Sequence, residues 1–159
     1  MAKKYELEDL LRVRVIRKDR AEKNLKQAKL LLEEAERAVA KARQELEDYK
    51  IFVKKESDRM YNEIIKKSVH RRDIDNLHLK IQVLKNRVFE YERRVEMSIA
   101  ECNKARENVE NKRQELRKAE RNVDKIESLK EIWIEEMKKE EERQLDLEME
   151  DLIVKLKVV

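Results

Sequence analysis

Neither glycine nor proline occurs in the 159 residues, and no other feature narrows the possible folds as far. Glycine alone enters left-handed backbone space without a steric penalty, so phosphate-cradling glycine loops, primed hairpin turns and nucleophile elbows are all disfavoured. Charged residues make up 48% of the chain and aromatics 4%. Seven aromatic side chains (Tyr5, Tyr49, Phe52, Tyr61, Phe89, Tyr91 and Trp133) are too few to fill a globular core of ordinary size. The other apolar residues are mostly Leu, Ile, Val and Ala set among charges, which is the composition of long helices and coiled coils.

The spacing of those residues decides between the remaining folds. A 3-4 repeat runs from Leu7 and Leu11 through Ala21, Leu25, Ala28, Leu32, Ala35, Val39, Ala42, Leu46, Tyr49 and Val53 to Met60, broken only at Arg14, Lys18 and Glu56. A second repeat begins at Ile74 and continues through Ile81, Val88, Tyr91, Val95, Cys102, Val109, Leu116, Val123, Ile126 and Trp133 to Met137. Heptads sustained this long indicate coiled coil. Between them lies KKSVHRRDID, where Ser68, Asp73 and Asp75 offer short polar side chains to cap a restarted helix. The expectation is an all-α, antiparallel two-helix coiled-coil hairpin forming a single domain over 1–159. Helix 1 is expected over about 5–67, a turn over 68–73, and helix 2 over about 74–157, overhanging from about Met137.

The seam supports folding back. A hairpin turning about 68–73 sets Tyr49 against Tyr91, Val53 against Val88, Val39 against Cys102, Leu32 against Val109 and Leu25 against Leu116. Ala21 then meets Ala119, Ala35 meets Ala105 and Ala42 meets Ser98, so small residues face small ones at every seventh position. Such rungs let two helices approach toward the lower end of the usual ~8–10 Å separation. Lys112 falls opposite Ala28, with its stem along the seam and its charge in water. Charge agrees with this register. Residues 3–29 hold ten basic and five acidic groups, and residues 131–151 hold ten acidic and three basic. Single surface pairs are weak, at ~0–1 kcal/mol, so these charges select the partner helix more than they stabilise it.

Catalytic, cofactor and metal sites have no foothold in the sequence. His70 and His78 stand ~12 Å apart on one helix, too far to share a metal. Cys102, the lone cysteine, occupies a seam position as a small apolar residue, and a chain with one thiol has no internal disulfide. No run of 18 apolar residues and no signal-peptide core is present, which points to a cytosolic protein without direct membrane insertion.

Three regions carry possible recognition features. Arg14 and Lys18 interrupt the seam within LLRVRVIRKDR, where the alternatives are a register-setting polar defect and a cationic helix end that docks on an acidic protein surface. At the turn end, Tyr61, Ile65, Leu79 and Val83 exceed what a narrow seam can bury and form a candidate partner patch. Phe52 and Phe89 flank the seam together and are read as one packed pair. Acids interleaved on nearly every turn argue against a phosphate-tracking face and so against nucleic acid as a partner.

The series Tyr5, Leu7, Leu10, Leu11, Arg14, Lys18, Arg20, Ala21, Glu22, Leu25 resembles the opening of the YscO/FliJ family, the central stalk proteins of type III secretion and flagellar export ATPases. The stretch KEIWIEEMKKEEERQLDLE, with Trp133 ahead of an acidic helix, is similar to the YscO branch. The resemblance covers both ends and the overall length; the middle matches as coiled coil. It implies a non-enzymatic hairpin standing in a hexameric ATPase at the cytoplasmic face of the secretion apparatus, monomeric in isolation. Arg14, Lys18, Arg20 and Trp133 are the implied ATPase-binding residues. Tyr61, Ile65, Leu79 and Val83 are implied at the export gate, and family members also handle export chaperones. Two other readings compete: a free-standing coiled-coil arm that recognises structured RNA, and a parallel homodimeric tether built from one unbroken helix through 68–73.

Overall fold

A computed structural model describes residues 5–158 and contains two helices, α1 (Glu8–Ile65) and α2 (Arg71–Val158), joined by a five-residue turn. The fold is an antiparallel helical hairpin without strands among the described residues. The unbroken-helix tether is thereby excluded: α1 stops at Ile65 and a new helix begins at Arg71.

The turn shows how a chain without glycine reverses. No described residue has positive φ, so the reversal uses ordinary backbone conformations over residues 66–70. Lys67 N–H donates to the Ile64 carbonyl at 3.1 Å, which closes the last turn of α1 tightly. Asp73 N–H then donates to the His70 carbonyl at 2.9 Å, and the Asp73 carboxylate accepts the His70 N–H at 3.2 Å. That reciprocal exchange is the back half of a capping box, with His70 at the cap and Asp73 at the third helical position. The turn therefore lies nearer the N-terminus than the expected 68–73. The reason is that Asp73 caps from inside the first turn of α2, three residues after the cap residue His70. At the other helix start, Glu8 and Asp9 place acid in the first turn of α1, where the helix dipole favours it.

The chain divides into two compact units, one reaching to Leu25 and resuming at Lys112, the other spanning Lys26–Asn111. Within Lys26–Asn111 the seam buries Ala28, Ala42, Val53, Leu77, Ile81, Cys102 and Val109. Tyr49 stacks on Tyr91 at 4.4 Å between ring centroids, and its hydroxyl donates to the Leu84 carbonyl at 2.9 Å. Val39 and Cys102 line one groove, Ala42 and Ser98 another, as the expected register requires. Across the flank, Arg106 reaches Glu36 at 3.9 Å.

In the other unit Ala21, Val123 and Ile126 are buried, and Ala21 and Ala119 line a shared groove. Tyr5 packs on Trp133 at 5.3 Å and donates its hydroxyl to the Ile126 carbonyl at 3.3 Å. Lys130 and Glu8, both half-buried, form an ion pair of 2.9 Å. The expected register, extended to Tyr5, would face it with Glu135 or Glu136; Tyr5 instead lies ahead of α1, in the turn that leads into Glu8, where helical spacing no longer sets its partner, and it meets Trp133. Its phenol thus rests on the Trp133 indole rather than beside a carboxylate, so apolar area is buried without desolvating a charge. Beyond Glu140 every described residue of α2 is exposed.

Candidate functional site

Three surfaces stand out, each built by the seam beneath it. The first lies where Ala21 and Ala119 leave a notch, because two methyl groups cannot fill the space larger side chains would occupy. A groove of about 350 Å³ opens there, walled by Arg14, Arg17 and Arg20 from α1 and by Lys118 from α2, with Asn24 and Asn122 half-buried beside its floor. Glu115 is the one carboxylate among its lining residues, and the Lys112 ammonium already engages it at 3.3 Å. None of the four lining cations has an ion-pair partner among the described residues. The groove is thus an uncompensated cationic notch able to take the carboxylates of a partner.

Of the residues expected at the ATPase, the structure brings Arg14 and Arg20 together in this groove and leaves Lys18 half-buried outside its lining. Trp133 is half-buried against Tyr5. Sequence reasoning missed Arg17, Lys118, Asn24 and Asn122. The signal was present, since Arg17 precedes Ala21 by four and Lys118 adjoins Ala119, and both alanines were assigned to the seam.

The second surface lies near the turn. Leu79 and Val83 line a shallow groove of about 360 Å³ with Met60, Lys80, Leu84 and Arg87. Tyr61 is set edge-on to His78 at 6.2 Å. Ile65, the last residue of α1, is exposed and lies outside that groove.

The third is an aromatic flank within Lys26–Asn111. Phe52 leans on Tyr49 at 5.9 Å, and the Arg94 guanidinium lies 4.8 Å over the Tyr91 ring. Phe52 and Phe89 are not the packed pair the sequence led us to expect. Phe52 turns to Tyr49, and Phe89 is 68% exposed. Phe89 follows Val88, a seam residue, and one helical step of about 100° carries it out to solvent.

Among the described residues no group of three or more His, Cys, Asp or Glu is placed to hold a metal ion, and no helix is long and apolar enough to cross a membrane. Glu56 and Arg59 titrate away from their ordinary values. A hydrogen bond from Arg59 holds the Glu56 carboxyl below the usual carboxylate range, and Glu56 in turn raises the Arg59 guanidinium. Arg59 also bonds Glu63 at 2.7 Å.

What these helices define is an antiparallel coiled-coil hairpin whose distinguishing features are a cationic notch, an apolar groove near the turn and an aromatic flank. The comparisons give that class its family: the model of the YscO type III secretion proteins matches residues 7–155, so the chain belongs to the YscO family. The fold is similar to the crystal structure of the type III secretion protein YscO from Vibrio parahaemolyticus, at 25% identity and TM-score 0.81, covering 91% of each chain. It is also similar to a structure described as a YscO homolog, CT670, from Chlamydia trachomatis, at 26% identity and TM-score 0.80, covering 95% of this chain and 93% of that one. No curated protein sequence matches this chain.

Proposed function

We propose that this chain is the stalk of a type III secretion export ATPase: it inserts in the hexameric ATPase at the cytoplasmic face of the apparatus and links that ATPase to the export gate. The observation that carries the reading is the cationic notch of Arg14, Arg17, Arg20 and Lys118, none of which has an ion-pair partner among the described residues, the one lining carboxylate, Glu115, being engaged by Lys112. An acidic collar on the ATPase is its partner. The turn-side patch of Leu79, Val83, Tyr61 and Ile65 faces the export gate, and the flank carrying Phe52 and Arg94 is available to export chaperones.

This function needs no bond chemistry from the stalk. Two helices cannot present the same face to six identical subunits, so each subunit meets a different set of side chains. A ligand shifts a conformational equilibrium only through differential contact with its states. Unequal contact therefore biases which subunit holds which nucleotide state, and the bias is reciprocal: nucleotide occupancy alters how tightly the stalk is held.

ATP hydrolysis and hexamer assembly by the cognate ATPase, measured with and without the chain, test this. Stimulation of either supports the stalk role. No binding and no change in either rejects it.

A further inference from the structure

The last turns of α2 carry an apolar stripe that this chain's own α1 cannot cover. Extending the 3-4 spacing of the seam beyond Met137 leads to Glu140, Gln144, Leu147, Asp151, Val154 and Val158. Leu145, Met149, Leu152 and Leu156 follow the same spacing but lie on the opposite side of the helix, at about 100° per residue. They are 60, 60, 56 and 76% exposed. Heptad-spaced apolar residues on a helix face call for a second helix, and here that helix must come from outside the hairpin.

The stripe is complementary to itself in one orientation. Set antiparallel to a second copy, Leu145 meets Leu156 of the partner subunit and Met149 meets the partner's Leu152, giving four apolar layers. Glu148 and Lys155 flank those layers on one side, so each Glu148 falls beside the partner's Lys155, twice per pair. A parallel arrangement loses this match, because acids at 146, 148, 150 and 151 would then lie alongside the same acids of the second copy. Charge thus selects the antiparallel pair, as flanking charges do in coiled coils.

We infer that two copies of this chain associate tail to tail through an antiparallel pairing of Leu145, Met149, Leu152 and Leu156. Four layers form a small interface, well below the ~1,200 Å² of standard stable complexes, so the dimer is weak and concentration-dependent. While paired, the tails hide their stripes from any other protein. Association is therefore set against whatever docking uses this part of α2.

Sedimentation velocity on the full chain from about 1 μM to several hundred μM tests this directly, with a monomer–dimer equilibrium as the expected result. Met149→Lys with Leu152→Lys abolishes the dimer while leaving the helical circular dichroism of the hairpin intact, since these side chains are solvent-exposed in the monomer. Glu148→Lys or Lys155→Glu alone weakens association roughly tenfold, and the two together restore it, because the swapped charges still face each other only in the antiparallel register. A chain that stays monomeric throughout overturns the inference. So does a dimer that survives the double lysine variant, or a charge swap no better than its single parents. The assay involves no ATPase, so its outcome is separate from that of the proposed function.

Discussion

At the scale of single residues, one buried side-chain polar atom among the described residues has no hydrogen-bond partner. The Ser57 hydroxyl is buried and makes no hydrogen bond. A buried unsatisfied polar group costs about 1–3 kcal/mol, and alanine is the better helix former, so Ser57→Ala stabilises the hairpin by about 1 kcal/mol. Thermal unfolding followed by circular dichroism reads this as a raised Tm; a lowered one contradicts it. Glu56 gives a second check. Its folded pKa is depressed by the Arg59 hydrogen bond, so the pair contributes above the ordinary carboxylate value and is lost as pH falls through the lowered one. Carbon-detected NMR titration is expected to place Glu56 below 4.5, and Arg59→Ala to return it there. The stacking of Tyr49 on Tyr91 was legible in the sequence because both rings sit on the seam, where the heptad alone sets who meets whom. Tyr5 on Trp133 was not, because Tyr5 lies ahead of α1, where the heptad no longer sets which residue it meets.

At the scale of elements, both helices were readable from heptads and from the absence of glycine and proline, while the turn was displaced. Apolar spacing marks where a seam stops. It does not say whether an aspartate caps as the first residue outside the helix or reaches back from within it. Asp73 does the latter, so Asp73→Ala exposes the start of α2 and lowers stability by about 1 kcal/mol, within the range of lost helix caps. Chemical denaturation measures this as a lower midpoint, and an unchanged midpoint removes the cap from the account. The small rungs make a stronger prediction. Ala42 is buried and shares a groove with Ser98, so Ala42→Leu forces the helices apart and costs about 1–3 kcal/mol. Were Ala42 facing solvent, the same change would be neutral or stabilising. The cationic notch was half legible: the alanines that hollow it were placed on the seam, but the cations that ring it come from both helices. Only the pairing of Ala21 with Ala119 brings Lys118 beside Arg17.

At the scale of the whole molecule, the chain is a member of the YscO family of type III secretion proteins. The cationic notch, the turn-side patch, the aromatic flank and the stripe beyond Met137 are among the places where unpaired charge or uncovered apolar area remains after the hairpin has formed. The notch bears most directly on the central claim, that this chain engages an export ATPase through cations with no anion of their own. The decisive measurement is ATP hydrolysis by the cognate ATPase across a titration of the wild-type chain and of the Arg14→Glu, Arg17→Glu, Arg20→Glu triple variant. All three side chains are exposed or half-buried, so the variant keeps its helical circular dichroism. Our account predicts stimulation by the wild type that weakens as salt rises, and at least a tenfold loss of apparent affinity in the variant. Equal stimulation by both chains, or none by either, would contradict it.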